Sequence, residues 1–172
     1  AQPEDAEACG LICYEAFRTI ANQHNFPPDF PDAGMAVGLM SFLFSRGDIY
    51  AVIAEANGRI AGSNCLWKGD MIAGVGPITV DPGVQNSAVG KHLMEAVLHH
   101  AEDNGFPGVR LVQAAYHNRS LSLYTKLGFD AREPLSVMQG PAVKSEIAGL
   151  AVRTALEADL DALAHERCPE RD

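Results

Sequence analysis

The sequence contains no run of about 18 apolar residues, the length that a membrane-spanning helix needs, and no secretory signal is visible in it. It also lacks the nucleotide-binding patterns Gly-x-x-x-x-Gly-Lys-Ser/Thr and Gly-x-Gly-x-x-Gly. Basic residues are scarce, because 13 Lys and Arg stand against 22 Asp and Glu and the net charge is -9. This balance argues against nucleic acid or an anionic membrane as a partner, although a helix N-terminus can still hold a phosphate on an acidic protein.

The four cysteines form no Cys-x-x-Cys pair. Cys9 and Cys13 recur at helical spacing within an apolar stripe, which is typical of small core residues rather than of metal ligands or a disulfide. No other residues stand beside them at zinc-ligand spacing. We therefore expect a reduced, cytoplasmic protein without a metal site.

Periodicity and turn residues predict alternating helices and strands. The 172 residues, 47% of them hydrophobic, are enough to bury a core of their own. Asp32 can cap a helix, and Asn57-Gly58 is a strong hairpin signal. Pro77, close to Gly74 and Gly76, should interrupt the ladder of its strand. Helices are predicted over 3–22 and 33–45, from a start between 85 and 88 to 104, and over 119–127. Strands are predicted over 49–55, 59–67, 72–80, 109–115 and 129–139.

A strand over 72–80 leads through a loop of small residues at 85–91 into the longest amphipathic helix. The first N–H groups of a helix have no partner within the helix, and small side chains let an anion approach them. The helix should lead by a right-handed crossover to a strand parallel to the first one. On its own, a strand followed by a loop and a helix is also a common connection in α/β proteins.

Two segments together resemble a known family. The loop Gln-Asn-Ser-Ala-Val-Gly-Lys at 85–91 is similar to the signature Arg/Gln-x-x-Gly-x-Gly/Ala, with Ala88 in place of the first Gly. About thirty residues later, the segment 117–129 ends in Tyr-Thr-Lys-Leu-Gly-Phe. Over about residues 1–140 the chain therefore resembles the GNAT superfamily of acyl-CoA-dependent N-acyltransferases.

The resemblance implies an α/β fold with a central mixed, mostly antiparallel sheet, helices on both faces and a splayed pair of parallel strands. It implies acetyl-CoA or coenzyme A as the cofactor and a small-molecule or peptide amine as the acceptor. The loop amides would take the pyrophosphate, and the splayed strand would hold the pantetheine and polarise the thioester. The cofactor-binding residues implied in this way are Ile78, Thr79, Val80, Gln85, Asn86, Ser87, Ala88, Val89, Gly90, Lys91, His117, Asn118, Ser120 and Tyr124.

Tyr124 is implied as the general acid. A phenol, whose pKa is about 10, stays protonated at neutral pH and can protonate a departing thiolate. The alternative is a buried aromatic residue whose hydroxyl is satisfied within the fold. Lys91, Arg119 and Lys126 are either neighbours of the cofactor phosphates or solvated charges on helix faces.

His117 occupies the place of the family's usual Asn, and Asn118 follows one position later. Either residue is implied as a contact of the pantetheine, while His117 is also a candidate base for the acceptor amine. A structural histidine is the alternative, and Asp48, Glu55 or a water relay are rivals for the role of base.

The segment 26–44 is richer in aromatic residues and Met than one buried face requires. Core packing explains such a composition. In the family the same region borders the acceptor site, which makes Phe26, Phe30 and Met35 candidates for a pocket wall.

The end of the sequence departs from a single domain. Residues 149–153 are strand-like, 157–167 are helix-like, and 155–162 echo 1–8 at a constant offset. These features resemble the opening of a further GNAT domain; alternatively, the strand completes the first sheet. The predicted division is a GNAT domain over 1–140, a linker over 141–148 and a strand-helix fragment over 149–172.

Three functions are compatible with these features. The first is an N-acetyltransferase in which the amine attacks the bound thioester directly, because no Cys stands in the motifs as an acyl carrier. The second is a non-catalytic acyl-CoA-binding or regulatory module. The third, a domain for ordinary nucleotides, is disfavoured by the missing phosphate-binding patterns. The acceptor and the oligomeric state are not predicted.

Overall fold

The computed structural model describes residues 1–84, 87–138, 140–141 and 148–159. The chain divides into two compact units, Ala1–Ala131 and Arg132–Asp172. The helices and strands described for the first unit are α1 (Ala6–Gln23), α2 (Ala33–Phe44), β1 (Ile49–Ala56), β2 (Arg59–Trp67), β3 (Ala73–Val80), α3 (Val89–Asp103), β4 (Val109–Arg110) and α4 (Asn118–Lys126).

The four strands form one sheet in the order β1-β2-β3-β4. The pairs β1-β2 and β2-β3 are antiparallel, and the pair β3-β4 is parallel. Asn57 and Gly58 connect β1 to β2 with positive φ angles of 54° and 72°, as a tight hairpin turn requires. The predicted hairpin and the mixed sheet with one parallel pair are confirmed.

The ladder of β3 is interrupted at Gly76-Pro77. Asn64 of β2 pairs with Ile78 and Leu66 pairs with Val75, so two residues of β3 bulge opposite one residue of β2. The indole N–H of Trp67 donates a 2.7 Å hydrogen bond to the carbonyl of Gly76 beside this bulge. The interruption therefore stands where the proline and glycines predict it.

The parallel pair is short. Only Ala73 and Gly74 of β3 pair with Val109 and Arg110 of β4 among the described residues. Beyond these two pairs the strands part, and no further pairing of β3 on that side is found in the part of the chain that the structure describes. The predicted strand over 109–115 is thus too long, because β3 bulges away and a strand persists only while a partner supplies hydrogen bonds.

Helices cover both faces of the sheet. Cys65 of β2 packs with Cys9 of α1 and Met40 of α2 on one face, whereas its neighbour Leu66 packs with Val97 of α3 on the other. Successive strand residues point to opposite faces, which places α1 and α2 across the sheet from α3. No helix of the described residues is both long enough and apolar enough to cross a membrane.

The helices on the first face cross closely. A Cβ atom on Gly10 of α1 would lie 2.4 Å from the Cα atom of Val37 in α2. At the start of α2 the Asp32 carboxylate accepts a 3.0 Å hydrogen bond from the Met35 N–H, which confirms the predicted cap. The first predicted helix is a short 3-10 turn, Pro3–Asp5, followed by α1.

The predicted strand over 129–139 is wrong for the residues that the structure describes, 129–138, which have no regular structure. Pro134 removes a hydrogen-bond donor from this run. The apolar side chains of Val137 and Met138 are 98% and 91% exposed, so no burial stabilises a strand here.

In the second unit, the described residues form regular secondary structure in a 3-10 turn, Glu157–Asp159. Arg153 holds it through an ion pair of 2.6 Å with Asp159. The predicted strand over 149–153 is not formed, and Val152 is fully exposed. From residue 160 onwards the predicted helix lies outside the described residues.

Candidate active site

The end of β3, the start of α3 and the helix α4 meet around Gly90. A Cβ atom on Gly90 would lie 3.6 Å from Val80 Cγ2 of β3 and 3.6 Å from Leu123 Cδ2 of α4. These are ordinary van der Waals distances, so the three elements pack against one another at Gly90. The two segments that carry the sequence resemblance are thereby brought together.

The loop before α3 has an unusual backbone at Ala88. This residue has φ 65° and ψ 1° in the left-handed region, where the Cβ atom of an L-residue is crowded by the backbone. The Ser87 hydroxyl donates to the Val84 carbonyl in the preceding 3-10 turn. Gln85 and Asn86, both predicted to bind the cofactor, lie outside the described residues.

The first N–H groups of α3, beginning at Val89 and Gly90, point toward the entry of the helix. Together with the helix dipole they provide a site for a phosphate. Lys91 is 55% exposed and forms an ion pair of 3.3 Å with Glu95 one turn later. Its charge is therefore shared with a carboxylate of the same helix.

The pairing of β3 with β2 distinguishes the three residues predicted to hold the pantetheine. The Asp81 N–H donates to the Ala61 carbonyl of β2 at 2.9 Å. Because antiparallel hydrogen bonds alternate along a strand, the backbone of Thr79 also faces β2, while the backbones of Ile78 and Val80 face the side from which β4 has parted. Ile78 and Val80 thus have the orientation that a strand-held pantetheine requires, and Thr79 does not.

Gln113 lies three residues after the end of β4. The Gln113 Oε1 atom is buried and has no hydrogen-bond partner among the described residues. A buried carbonyl oxygen without a hydrogen-bond donor is costly. Nothing in the sequence marks Gln113, because a glutamine in a predicted strand belongs to no motif.

Tyr124 lies on α4 and is 8% exposed. Burial raises the pKa of its phenol above the ordinary value of 10, and a hydrogen bond with the Ser120 side chain acts in the opposite direction. The phenol therefore remains protonated at neutral pH, as an acid for a thiolate must. Its ring lies 6.1 Å from that of Phe129, centroid to centroid.

His117 caps α4. Its Nδ1 atom accepts a 3.1 Å hydrogen bond from the Ser120 N–H, which fixes the neutral ring with its proton on Nε2. Burial lowers the pKa of His117, and the charges of Arg119 and His24 lower it further. A ring whose Nδ1 lone pair is used and whose Nε2 carries hydrogen can donate to a ligand but is poorly arranged to accept a proton.

The connection between α1 and α2 packs against the residue before His117. The Tyr116 ring stacks on Phe26 at 4.3 Å and on His24 at 5.0 Å, centroid to centroid. Burial raises the pKa of Tyr116, and the charge of Asp29 raises it further. Phe26, a predicted pocket residue, is thus placed next to the candidate site through Tyr116, which the sequence analysis did not single out.

The other two predicted pocket residues point elsewhere. Phe30 packs edge-on against Phe17 of α1, with ring centroids 5.6 Å apart. Met35 lies in the first turn of α2 and is 58% exposed. Of the three, Phe26 is the one that the structure brings to the start of α4.

The two carboxylates considered as bases lie in different places. Asp48 precedes β1 at the opposite end of the sheet from Val80, and the Arg46 guanidinium hydrogen-bonded to it holds its pKa below the usual range. Glu55 lies on β1, which β2 separates from β3, but it lines the same pocket as Ser87 and Val89 at the start of α3. Among the described residues, no group of three His, Cys, Asp or Glu side chains is arranged to hold a metal ion.

The described thiols are shielded from solvent. Cys9, Cys13 and Cys65 are fully buried, and burial raises the pKa of Cys65 to about 12. The pKa values of Cys9 and Cys13 are raised to about 11 and about 12, again chiefly by burial. A protonated thiol without access to solvent is a poor nucleophile.

The architecture and the two linked segments identify a class of protein. A mixed sheet with a divided parallel pair, a long helix after the third strand and a following helix with a buried tyrosine are the features concerned. In agreement with this, the model of the acetyltransferase (GNAT) family matches residues 14–129. The chain belongs to the GNAT acetyltransferase family, and the resemblance found in the sequence is confirmed.

Similar proteins fall within the same class. The chain is 31% identical over 106 residues to a mycothiol acetyltransferase of Thermobifida fusca (strain YX), and the match covers 56% of this chain and 32% of that protein. The chain therefore spans about a third of the length of this curated relative.

Two solved structures show the fold. A mutant of the BH1408 protein of Bacillus halodurans superposes with a TM-score of 0.68 at 10% identity, covering 83% of this chain and 97% of that one. A predicted acetyltransferase of Clostridium acetobutylicum, solved with acetyl-CoA, superposes with a TM-score of 0.60 at 11% identity over 81% and 92% of the two chains.

Proposed function

We propose that this chain transfers an acetyl group from acetyl-CoA to an amine by direct attack in a ternary complex. The observation that carries the proposal is the parting of β3 and β4 after two residue pairs, beside the start of α3 and the helix α4. The GNAT family membership and the relative's name both support acetyl transfer. The acceptor is a small-molecule or peptide amine.

The residues present fit acetyl-CoA. The N–H groups of Val89 and Gly90 suit a pyrophosphate at the start of α3. The outward backbone of Ile78 suits an amide group of the pantetheine. Acetyl-CoA supplies a thioester whose carbonyl carbon is open to attack by an amine.

Tyr124 is assigned as the acid that protonates the thiolate. It is buried on the helix that packs at Gly90, and its raised pKa keeps the proton in place until the sulfur takes it. His117 is assigned as the cap of α4 and a hydrogen-bond donor through Nε2 rather than as the base. With Asp48 paired to Arg46 at the far end of the sheet, we assign removal of the amine proton to water.

Direct attack is favoured over an acyl-enzyme because the described thiols are buried and protonated. A route through Cys65 would need a thiolate, yet burial raises the pKa of this group to about 12.

Calorimetric titration of the 172-residue chain with acetyl-CoA, CoA and ATP tests the site. We expect micromolar affinity, about -8 kcal/mol, for the two CoA species and much weaker binding of ATP. Release of free CoA in the presence of spermidine, kanamycin, glucosamine or a peptide with a free amino group then tests transfer. No preference for the CoA species over ATP would refute the site.

Tyr124→Phe tests the assigned acid. The variant should bind acetyl-CoA as the wild type does and lose about 10²- to 10⁴-fold in kcat, the range of general acid catalysis. Tyr14→Phe on α1 makes the same change away from the site and should leave kcat unchanged. Binding of acetyl-CoA without release of CoA from any amine would instead favour the non-catalytic acyl-CoA-binding module.

A further inference from the structure

Asn64 is a polar side chain in the core between the sheet and α3. It lies on β2 opposite Ile78 of β3 and is fully buried. Its Nδ2 atom donates a 3.2 Å hydrogen bond to the Leu93 carbonyl of α3 and lies 3.5 Å from the Met94 sulfur. Its Oδ1 atom is buried and has no hydrogen-bond partner among the described residues. The amide of Asn64 is therefore only half satisfied.

The helix does not need this hydrogen bond to satisfy its own backbone. In an α-helix the Leu93 carbonyl accepts the N–H of the residue four positions later, which is Val97. A buried amide with an unpaired oxygen costs free energy, whereas an apolar side chain of similar shape in its place is close to neutral or stabilising. Stability alone therefore favours an apolar residue at position 64. What the amide adds is a directional contact between β2 and α3.

A directional contact here fixes where α3 lies along the sheet. The apolar contacts between the sheet and α3 do not depend on direction, but a hydrogen bond requires a narrow range of distances and angles. A Cβ atom on Gly62, two residues before Asn64, would lie 3.2 Å from Leu93 Cδ1, so Leu93 is seated closely on the same strand. Leu93 follows Val89, the first residue of α3, by about one turn. The position of Leu93 thus determines the position of the helix start.

Asn64 also lies at the bulge of β3. The register of β2 with β3 shifts between Asn64 and Leu66, so Asn64 and Ile78 form the pair next to the bulge. One side chain therefore links the strand proposed to hold the pantetheine to the helix proposed to hold the pyrophosphate. Because both groups belong to one cofactor molecule, their two binding places must keep a fixed separation.

We propose that Asn64 is a positioning residue that sets the place of α3 along the sheet and thereby aligns the N–H groups of Val89 and Gly90 with the backbone of Ile78. The inference rests on the proposed function for its meaning in cofactor binding. Asn64 is buried beneath α3 and acts through Leu93 rather than by touching the cofactor. Without its amide the protein remains folded, but the two binding places for CoA are no longer aligned.

Asn64→Val tests this inference, because valine suits a strand and removes both polar atoms of the amide. The urea midpoint should stay near that of the wild type or rise, since the unpaired oxygen is gone. The affinity for CoA, measured by calorimetry, should fall about tenfold, the loss expected when one hydrogen bond to a charged group is misplaced. Equal affinity in Asn64→Val and the wild type overturns the inference. Asn64→Ala replaces Asn64→Val in the same measurements if the valine variant does not fold.

Ser63→Ala is the matched control, because Ser63 is the neighbouring buried polar residue of β2. Its hydroxyl lies 3.5 Å from that of Thr79, and successive strand residues point to opposite faces of the sheet. This variant should keep the wild-type affinity for CoA whatever its effect on stability. Met94→Leu removes the sulfur but keeps the hydrogen bond to the Leu93 carbonyl, and it should also keep the affinity. An equal loss in all three variants would reflect core packing in general and overturns the inference.

The amide resonances of Val89 and Gly90, recorded by NMR of 15N-labelled protein, do not depend on turnover. Both should shift in Asn64→Val, and neither should shift in Ser63→Ala. If the wild type binds no CoA, the proposed function fails; shifted resonances then still support Asn64 as the residue that places α3, and unshifted resonances overturn that role. With the amine that gives the fastest CoA release, Asn64→Val should raise KM for acetyl-CoA about tenfold and leave kcat near the wild-type value, because the pyrophosphate does not react.

Discussion

The Nδ1 atom of His117 accepts the N–H of Ser120 at 3.1 Å, and this single bond decides how the ring can be used. A histidine whose lone pair satisfies the first turn of α4 serves the helix as a cap. An Asn at the same position can do the same with its side-chain oxygen. An Asn at position 117 would therefore keep an acceptor for the Ser120 N–H.

His117→Ala should lower the free energy of unfolding by about 1 kcal/mol, because the Ser120 N–H loses its acceptor. In a chain of this size the melting temperature should fall by about 2–4 °C. His117→Asn should restore most of this loss. Thermal denaturation followed by circular dichroism gives the melting temperature of both variants. Equal melting temperatures for His117→Ala and the wild type would show that His117 does not stabilise α4 as a cap.

Ala88→Gly should stabilise the protein by about 1 kcal/mol, because Ala88 has φ 65° and glycine occupies that region without the crowding of a Cβ atom. Ala96→Gly is the matched control, since the same change inside α3 should destabilise by about 1 kcal/mol. Urea denaturation of the two variants measures the sign of the change in the free energy of unfolding for each. A loss of stability in Ala88→Gly would contradict the left-handed backbone.

Gly10→Ala should cost about 1–3 kcal/mol, because its new Cβ atom would lie 2.4 Å from the Cα atom of Val37 and the crossing of α1 and α2 must widen. Gly38→Ala, in the facing helix, meets nothing within 4 Å and should gain up to about 1 kcal/mol from helix propensity. Midpoints of urea denaturation compare the pair. Equal effects would show that the helices do not cross at Gly10.

His100 should make stability depend on pH. Its ring stacks on Tyr50 with centroids 3.6 Å apart, and its pKa is lowered, first by burial and then by Lys68, while Asp103 raises it. The unfolded chain then binds more protons than the folded one as the pH falls below about 6.5. The stability contributed by neutral His100 is complete above that pH and is lost as the pH falls through the lowered pKa.

The measurement is the urea midpoint at pH 7 and pH 5. His100→Phe keeps a ring against Tyr50 and cannot take up a proton, so its midpoint should fall less than that of the wild type. His99→Phe changes an exposed neighbour and should behave as the wild type does. The same fall in all three proteins would exclude His100 as a source of the pH dependence.

Structural features that depend on one or two adjacent residues could be predicted from the sequence. Asn57-Gly58 specified the hairpin, Asp32 specified the start of α2, and the proline at position 77 specified the interruption of β3. Each depends on the backbone preferences of one or two residues. The family signatures added the class of cofactor and the position of Tyr124.

Features that depend on partners distant in the chain could not be predicted. Residues 109–115 have the composition of a strand, but their pairing ends at Arg110 because β3 turns away. Ala88 stands where the signature has Gly, but its left-handed backbone is visible only in the fold. That the Gln113 Oε1 atom is buried without a partner among the described residues is likewise visible only in the fold.

The hydrogen bond from the Trp67 indole to the Gly76 carbonyl places the chain's one tryptophan at the bulge where β3 leaves its neighbours. The indole is 38% exposed, so its emission is sensitive both to solvent and to the backbone it contacts. Any molecule that enters the gap and tightens β3 changes the surroundings of that carbonyl. The protein thus carries its own fluorescent reporter of an occupied cleft, and no dye or label has to be attached to follow it.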